Sequence, residues 1–452
     1  MNVKTNSKNI KPGDTFIALS GINDDGHKYI DEAIKNGATK VICEKGLYSV
    51  ETVVVRDTKK YLEDYLYNNY YEKIKNLNLI GITGTNGKTT TAYMIYQALN
   101  KLKVKCAYIG TIGFYINDKV INLSNTTPQL LDIYEMLDEC SKNDIEYVVM
   151  EISSHALDMG RVNTLKFKYG IFTNITSDHL DYHKTFEKYI EAKSKLFDMV
   201  YDTSFINIDD KHYKKVINKH TNVEYYGFKS NDYKILNYKY NNGLMEFQIR
   251  VDTRLYTFKT KILGKYNIYN IMSVIMVLRH IKFSMDQIIE IVYLLEHPKG
   301  RMDTIKYNKS LIIIDYAHTE DATFKIINCV KEYTKGKIYC IIGCGGDRQK
   351  SKRPKMAYYA SVLSDYVILT SDNPRSEDPM DIINDMISGI VKDNYEVVPD
   401  RYGAIKRGIG LLKSDDSLLI LGKGHEDYQI IKDKKIHHDD KECVLEIIDR
   451  VI

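Results

Sequence analysis

Residues 79–91 read Leu-Ile-Gly-Ile-Thr-Gly-Thr-Asn-Gly-Lys-Thr-Thr-Thr, an apolar run that ends in small residues and then opens an amphipathic helix. Gly84 and Gly87 let backbone N–H groups turn toward one anion, Lys88 adds a mobile positive charge, and the Thr89 hydroxyl is placed to hold Mg²⁺. Thr85, Asn86 and Thr90 complete the loop. Ile82 occupies the position of the first glycine in the general pattern G-x-x-x-x-G-K-[ST], so only the tighter form Thr-Gly-Thr-Asn-Gly-Lys-Thr is present. Glycines alone would fit an ordinary turn. The Lys-Thr pair directly after a strand instead points to a nucleoside triphosphate, and ATP is the expected ligand.

Further chemistry-bearing residues stand at the ends of apolar runs. Residues 145–150 read as a buried strand that ends in Glu151-Ile152-Ser153-Ser154-His155. A carboxylate at the C-terminal end of such a strand faces the crevice where open α/β sheets bind ligands, which makes Glu151 a natural Mg²⁺ ligand. The run 169–175 leads into Asp178-His179-Leu180-Asp181-Tyr182-His183, which fits either part of a metal shell or a capped helix start with solvated polar residues. Lys193 and Lys195 lie on a helix expected over 185–200, where two lysines ordinarily make a wet face. Asn267 and Asn270, three apart on a helix starting at Lys265, share a face able to meet an adenine edge. Later, four apolar runs end in Asp315-Tyr316-Ala317-His318, Gly345-Gly346-Asp347-Arg348, Asp372-Asn373-Pro374-Arg375 and Gly422-Lys423-Gly424-His425-Glu426. Four strands delivering such loops at one edge make a second crevice.

These residues need sheets to carry them, and the pattern supplies an α/β fold. Apolar runs alternate with helical segments across 76–300 and again across 301–452, as parallel strands with crossover helices require. Residues 1–75 read as a smaller α/β unit with strands at 15–19 and 40–43, a polar loop at 20–27, and a helix over 29–36 closed by Gly37. Pro298 and Gly300 break the pattern and mark a boundary. The expected organisation is a small N-terminal α/β domain (1–75), a central P-loop parallel-sheet domain (76–300) and a C-terminal Rossmann-like domain (301–452); 452 residues exceed what one core serves. With 64 basic and 60 acidic residues, the net charge of +4 gives no electrostatic case for nucleic acid. Seven scattered cysteines without a C-x-x-C pair argue against a structural zinc site or a disulfide framework and fit a reducing cytoplasm. No window approaches the roughly 18 apolar residues of a spanning helix, so no membrane insertion is expected.

In this order, the clusters resemble those of the Mur ligases of peptidoglycan synthesis. The pieces that carry the resemblance are residues 84–90, 151–157, 178–183, 372–375 and 422–429. The first would fit any member; the last two point to the branch that joins meso-diaminopimelate to UDP-N-acetylmuramoyl-L-alanyl-D-glutamate. The resemblance implies three domains that hold the nucleotide sugar, ATP and the incoming amino acid, and an ATP-dependent amide ligase, a monomer, working through an acyl phosphate. It implies UDP-sugar contacts at Thr5, Ser7, Ile22, Asn23, Asp24 and Asp25, and peptide contacts at Asn125, Thr126, Thr127, Ser153 and Arg161. It implies Mg²⁺ ligands at Thr89, Glu151 and His179, with Lys193 carbamylated as a further ligand. Adenine and ribose would be met by Asn267, Asn270, Arg301, Asp315 and His318. Diaminopimelate would be read by Arg348, Asp372, Asn373, Pro374, Arg375, Gly422 and Glu426.

Physical chemistry supports the last set separately: a pocket selecting this diacid over lysine needs a cation for the distal carboxylate, and Arg375 offers a bidentate grip. Departures from the family pattern are Met159 where glutamine is usual, Asp303 where glutamate is usual, Glu320 where proline is usual, and a start close to the first uridine-side contacts. A folylpolyglutamate-type ligase shares the nucleotide loop but lacks Asp-Asn-Pro-Arg. That reading, a lysine-adding ligase and an inactive paralogue that binds a muramoyl nucleotide remain as alternatives.

Overall fold

The structure, a computed structural model, describes residues 2–21, 24–217, 222–241 and 243–451. Its contacts divide the chain into two units: Met1–Lys88 with Leu99–Ile206 and Asp210–Glu224, and Thr89–Ala98 with Asn207–Asp209 and Tyr225–Ile452.

The first unit opens with a parallel sheet of β1 (Val3–Lys4), β2 (Thr15–Ile17), β3 (Lys40–Cys43) and β4 (Glu51–Val54) in sequence order. Phe16, Val41, Ile30 and Ala33 form its core. The helix expected over 29–36 starts as a 3₁₀ turn at Gly26–Tyr29, capped by Asp25, and becomes α-helical over Ile30–Lys35. Gly37 closes it at φ +108°, a conformation that favours glycine.

The same unit then lays down β5 (Asn78–Thr83), β6 (Cys106–Gly110), β7 (Gly113–Ile116), β8 (Lys119–Ile121), β9 (Tyr147–Glu151), β10 (Phe167–Phe172) and β11 (Val200–Asn207). Their order is β11-β10-β5-β9-β6-β7-β8, parallel except for the β6–β7–β8 turns. β5 lies between β10 and β9, and Ile82 stands level with Glu151, so the glycine loop and that carboxylate leave the same edge. Some bounds differ from expectation for local reasons. β9 starts at Tyr147 because the Ile145 N–H is taken by Cys140 O at the end of the preceding helix, which leaves Glu151 as the last strand residue. β10 stops at Phe172 because Thr173 and Asn174 turn to the glycine loop. The helix expected over 185–200 is α-helical only over Phe186–Ser194 and 3₁₀ over Phe197–Met199, since β11 begins at Val200.

The second unit contains β12 (Val223–Gly227), β13 (Tyr233–Asn241), β14 (Leu244–Val251) and β15 (Arg254–Thr260), the last three an antiparallel meander whose β14 alternates buried and half-buried residues. Next come β16 (Asp303–Tyr307), β17 (Ser310–Asp315), β18 (Ile338–Ile342), β19 (Tyr366–Leu369), β20 (Tyr395–Val397) and β21 (Ser417–Leu421). Their order is β16-β17-β21-β18-β19-β20, parallel except for β16. Ile312, Ile341, Ile368 and Leu418 are buried in its core, as fully apolar runs in a covered parallel sheet must be. β22 (Tyr428–Ile431) and β23 (Lys434–His437) form a hairpin. Arg401 and Asp440, both fully buried, pair at 2.7 Å; Arg401 also donates to Leu421 O at 3.1 Å and to Ser371 O at 3.5 Å, which ties the ends of β21 and β19 together. Among the described residues, no helix is long and apolar enough to cross a membrane.

Candidate functional site

The glycine loop is sewn to the segment after β10. Thr85 N–H donates to Asn174 O at 2.8 Å, Asn86 N–H donates to Asn174 Oδ1 at 3.1 Å, and Asn86 O accepts from Thr173 Oγ1 at 2.7 Å and Asn174 Nδ2 at 3.0 Å. A Cβ on Gly84 would lie 2.0 Å from Thr173 Oγ1, and Gly87 has φ +85°, so both positions require glycine. Lys88 Nζ donates to Gly84 O at 2.8 Å and Thr85 O at 3.0 Å. Thr89 and Thr90 are buried at the start of the helix Lys88–Lys101.

Lys193 Nζ also donates to Gly84 O, at 2.9 Å, and lies 4.6 Å from the Tyr189 ring centroid. Burial first, and then the charge of Lys88, push its pKa well below the lysine value, while Asp178 opposes. The uncharged amine is thereby favoured, the form that reacts as a nucleophile.

Glu151 is 1% exposed and accepts from the Tyr108 hydroxyl, from Thr111 N–H at 2.9 Å and from Thr111 Oγ1 at 3.2 Å. Gly110 makes room for it, since a Cβ there would lie 2.3 Å from both Glu151 Oε1 and the Tyr108 hydroxyl oxygen. His179, at φ +53°, sits 3.5 Å from Asp178 Oδ2, and its ring meets that of His155 at 4.8 Å. Burial lowers the pKa of His179 and His183 and takes His155 down to about 4, so these imidazoles are neutral near pH 7. Among the described residues, no group of three or more His, Cys, Asp or Glu is arranged to hold a metal. The donors nevertheless fit Mg²⁺ chemically. One buried carboxylate and one neutral imidazole would need completion by water or phosphate oxygens, which is how Mg²⁺ is usually held in nucleotide sites.

Four of the five residues expected at the peptide end come together. Thr127 Oγ1 donates to Glu151 O at 2.8 Å and accepts from Ser153 N–H at 3.0 Å; Thr126 Oγ1 meets Thr111 Oγ1 at 3.1 Å; Arg161 donates to Thr127 O at 3.0 Å. Arg161 also contacts Met159 Sδ at 3.3 Å, a weak acceptor. Asn125 is exposed and contacts Ser124. Toward the N-terminus, Ser7 donates to Glu32 at 2.5 Å, Asp24 accepts from Tyr29 at 2.8 Å, and Asp25 accepts from His27 Nδ1 at 2.7 Å, while Thr5 is half-buried. Ile22 and Asn23 lie outside the described residues.

In the second unit, Asn267 and Asn270 are buried, and their amides bond inward: Asn267 to Leu263 O at 2.7 Å, Asn270 to Asn267 Oδ1 at 2.8 Å, with Thr91 donating to Asn270 at 3.1 Å. Arg301 lies over Tyr316 at 4.6 Å, and the Tyr316 ring packs on His318 and His425. Asp315 accepts from Met302 N–H at 2.8 Å, and burial raises its pKa against the pull of Arg301.

The loops after β17, β18, β19 and β21 enclose a pocket lined by Tyr316, His318, Arg348, Lys352, Asp372, Asn373, Arg375, Gly422 and Glu426, among others. Every residue expected to read the amino acid lines it except Pro374. Gly422 stands at φ +114°, where a Cβ would lie 2.5 Å from Asp372 Oδ2. Arg375 Nη1 donates to Gly346 O at 2.7 Å and more weakly to Asn373 O at 3.4 Å. Arg353, fully buried, pairs with Glu377 at 2.8 Å and Asp385 at 2.9 Å, and holds the Glu377 carboxyl down at about 2. Glu377 in turn accepts from Asp347 N–H at 2.6 Å, so the loops carrying Arg348 and Arg375 are clipped together. The sequence reading did not single out Tyr108 and Thr111 on Glu151, Tyr189 beside Lys193, or Lys352 and Lys423. Of these, Lys423 fell inside a cluster already noted; the rest carry no spacing signal.

Comparison with known proteins agrees with this layout. The model described as "Mur ligase family, catalytic domain" matches residues 1–74, "Mur ligase middle domain" matches 82–278, and "Mur ligase, glutamate ligase domain" matches 300–424. A Clostridium botulinum protein named UDP-N-acetylmuramoyl-L-alanyl-D-glutamate–2,6-diaminopimelate ligase is 41% identical over 460 residues, covering 99% of this chain and 95% of its own. A solved structure of a ligase of that name is 31% identical, with a TM-score of 0.72 over 100% of this chain and 95% of that one. The MurF ligase of Thermotoga maritima in complex with ADP shares the fold, at a TM-score of 0.68 and 21% identity, over 99% of this chain and 97% of its own. The α/β architecture is that of these ligases, and this chain belongs to the Mur ligase family.

Proposed function

We propose that this chain is the ligase that joins meso-diaminopimelate to the D-glutamate γ-carboxylate of UDP-N-acetylmuramoyl-L-alanyl-D-glutamate at the expense of ATP. The observation that carries this reading is the pocket at the carboxyl edge of the C-terminal sheet, which Arg348, Lys352 and Arg375 line together with Asp372 and Glu426. Three cations and two carboxylates suit a substrate with two carboxylates and two ammonium groups. The name of the 41%-identical relative supports the same substrate pair.

In the reaction, a γ-carboxylate oxygen attacks the γ-phosphorus of ATP, ADP leaves, and the acyl phosphate forms. The amine then attacks the acyl carbon, loses a proton, and expels phosphate. Gly84, Asn86 and Gly87 would cradle the phosphates, and Lys88 would offset charge on the transferring group. Thr126, Thr127, Ser153 and Arg161 would hold the peptide end, and Thr5, Ser7 and the loop 22–25 the uridine side. Asn267, Asn270, Arg301, Asp315 and His318 would surround adenine and ribose. Thr89, Glu151, His179 and carbamylated Lys193 would hold Mg²⁺, which when bound neutralises phosphate charge. The buried, charge-depressed Lys193 amine is the form a carbamate requires. We assign the three domains to 1–75, 76–300 and 301–452, and place the protein in the cytoplasm as a monomer.

The test supplies the muramoyl dipeptide and ATP with either diaminopimelate or lysine and follows ADP and the tripeptide product. Product with diaminopimelate and little with lysine is expected. Equal rates would defeat the substrate assignment, and absence of amino-acid-dependent ADP release would defeat the ligase reading.

A further inference from the structure

None of residues 428–437 lines the amino-acid pocket, yet the β22–β23 hairpin they form grips Arg375 from both sides. The Arg375 N–H donates to Ile430 O at 2.9 Å, and the Lys432 N–H donates to Arg375 O at 2.7 Å, which makes Arg375 a parallel bridge partner of Ile431. These bonds hold Arg375 at φ +53°. A non-glycine residue seldom adopts that conformation unaided, so something must hold it there.

A second set of bonds runs through side chains. Ile430 N–H donates to Asn373 Oδ1 at 2.9 Å, and Asn373 Nδ2 donates to Glu426 Oε2 at 2.7 Å. Lys423, fully buried, sends its ammonium to Glu426 Oε2 at 3.2 Å, Asn373 Oδ1 at 3.4 Å and the Tyr428 carbonyl. Ile430 thus spends both backbone groups on the 373–375 loop, and Lys423 fastens the hairpin's first residue to the pocket's acid.

We propose that the 428–437 hairpin, pinned by Lys423, is a positioning element that sets the pocket's selectivity for the distal end of the amino acid. It fixes where the Arg375 guanidinium and the Glu426 carboxylate stand without touching the substrate. This rests on the diaminopimelate reading above.

The experiment uses the full chain with Ile430→Pro, which deletes the N–H to Asn373, Ile430→Ala, which keeps it, and Lys423→Met, which deletes the ammonium. KM and kcat are measured for diaminopimelate, lysine and ATP. For Ile430→Pro and Lys423→Met the KM for diaminopimelate is expected to rise roughly tenfold or more, the scale of a small misplacement of a binding group. The preference over lysine falls in step, and KM for ATP stays put. Ile430→Ala keeps wild-type selectivity. Should Ile430→Pro fail to fold, Lys423→Met alone decides. Folded variants with wild-type selectivity, or losses equal for both amino acids and ATP, overturn the inference. A wild-type enzyme that uses both amino acids equally overturns the diaminopimelate reading itself.

Discussion

Replacing Arg375 tests the substrate assignment most directly, and the structure sets the size of the effect. Its guanidinium carries five N–H donors. Nη1 is spent on Gly346 O at 2.7 Å and Asn373 O at 3.4 Å, which leaves the donors on Nη2 and Nε for a substrate carboxylate. Two charge-assisted hydrogen bonds are worth about 1.5–3 kcal/mol each and are not additive, so about 3 kcal/mol is a fair figure for the pair. Arg375→Ala should then lower kcat/KM for diaminopimelate by roughly 150-fold. Lysine has no distal carboxylate, so its kcat/KM should hold or rise, and the preference should shrink by at least the same factor. Alanine at φ +53° is strained, as arginine is, and Arg375→Lys separates charge from geometry: it keeps the cation and loses the fork, so its loss should fall between the two. The assay is steady-state release of ADP and phosphate at saturating ATP and muramoyl dipeptide, with each amino acid varied. An unchanged KM for diaminopimelate in Arg375→Ala would refute the assignment, whatever happened to ATP.

Lys193→Ala should abolish turnover, and formate or acetate should restore part of it by supplying the missing carboxylate; no rescue at any concentration would count against the carbamate. Gly110→Ala places a methyl 2.3 Å from Glu151 Oε1, so turnover should drop about 100-fold with a stability loss of only about 1–3 kcal/mol, and wild-type turnover would show that Glu151 is not needed where it stands. Arg401→Met leaves Asp440 buried without its cation and should cost about 3–5 kcal/mol in denaturant unfolding, against under about 1 kcal/mol if the pair is idle. The Glu377 carboxyl, held down at about 2 by Arg353, contributes stability that is present above the ordinary glutamate pKa and lost as pH falls toward 2. Glu377→Gln should therefore flatten stability against pH between about 4.5 and 2, and a curve of unchanged slope would remove this pair from the acid response.

Much of this was legible in the sequence because the strands of parallel sheets are buried on both faces and read as uninterrupted apolar runs. Residues 311–315 and 417–421 announce their strands, and their polar successors announce the crevice. The glycine loop was legible for a different reason, since a side chain at Gly84 would strike Thr173 and Gly87 stands at a positive φ that favours glycine. What sequence could not carry is pairing between distant segments. Nothing near Ile430 says that its carbonyl meets Arg375, and nothing around Lys423 says that its ammonium is buried on Glu426. The strand ends were also misjudged where a loop residue had a better partner, as with Thr173 on Asn86 O. The β13–β15 meander did carry a period-two signal in Leu244–Val251, but the expectation of continued strand–helix alternation hid it.

Seven cations near the two sites divide by what they touch. Arg353, Arg401 and Lys423 are buried and meet carboxylates, on Glu377, Asp440 and Glu426. Arg161, Lys193, Arg348 and Arg375 donate instead to backbone carbonyls, of Thr127, Gly84, Asp347 and Gly346. A carbonyl orients a cation but leaves its charge uncompensated, whereas a carboxylate cancels it. The first group therefore builds the frame, and the arginines of the second keep a positive potential where anionic groups are to arrive. Under the proposed reading, the ligands at those places are a peptide carboxylate and the acids of diaminopimelate. Lys193 is the instructive member: under the proposed reading a charged ammonium would repel the metal, so burial that drives it neutral turns a conflict into a candidate ligand.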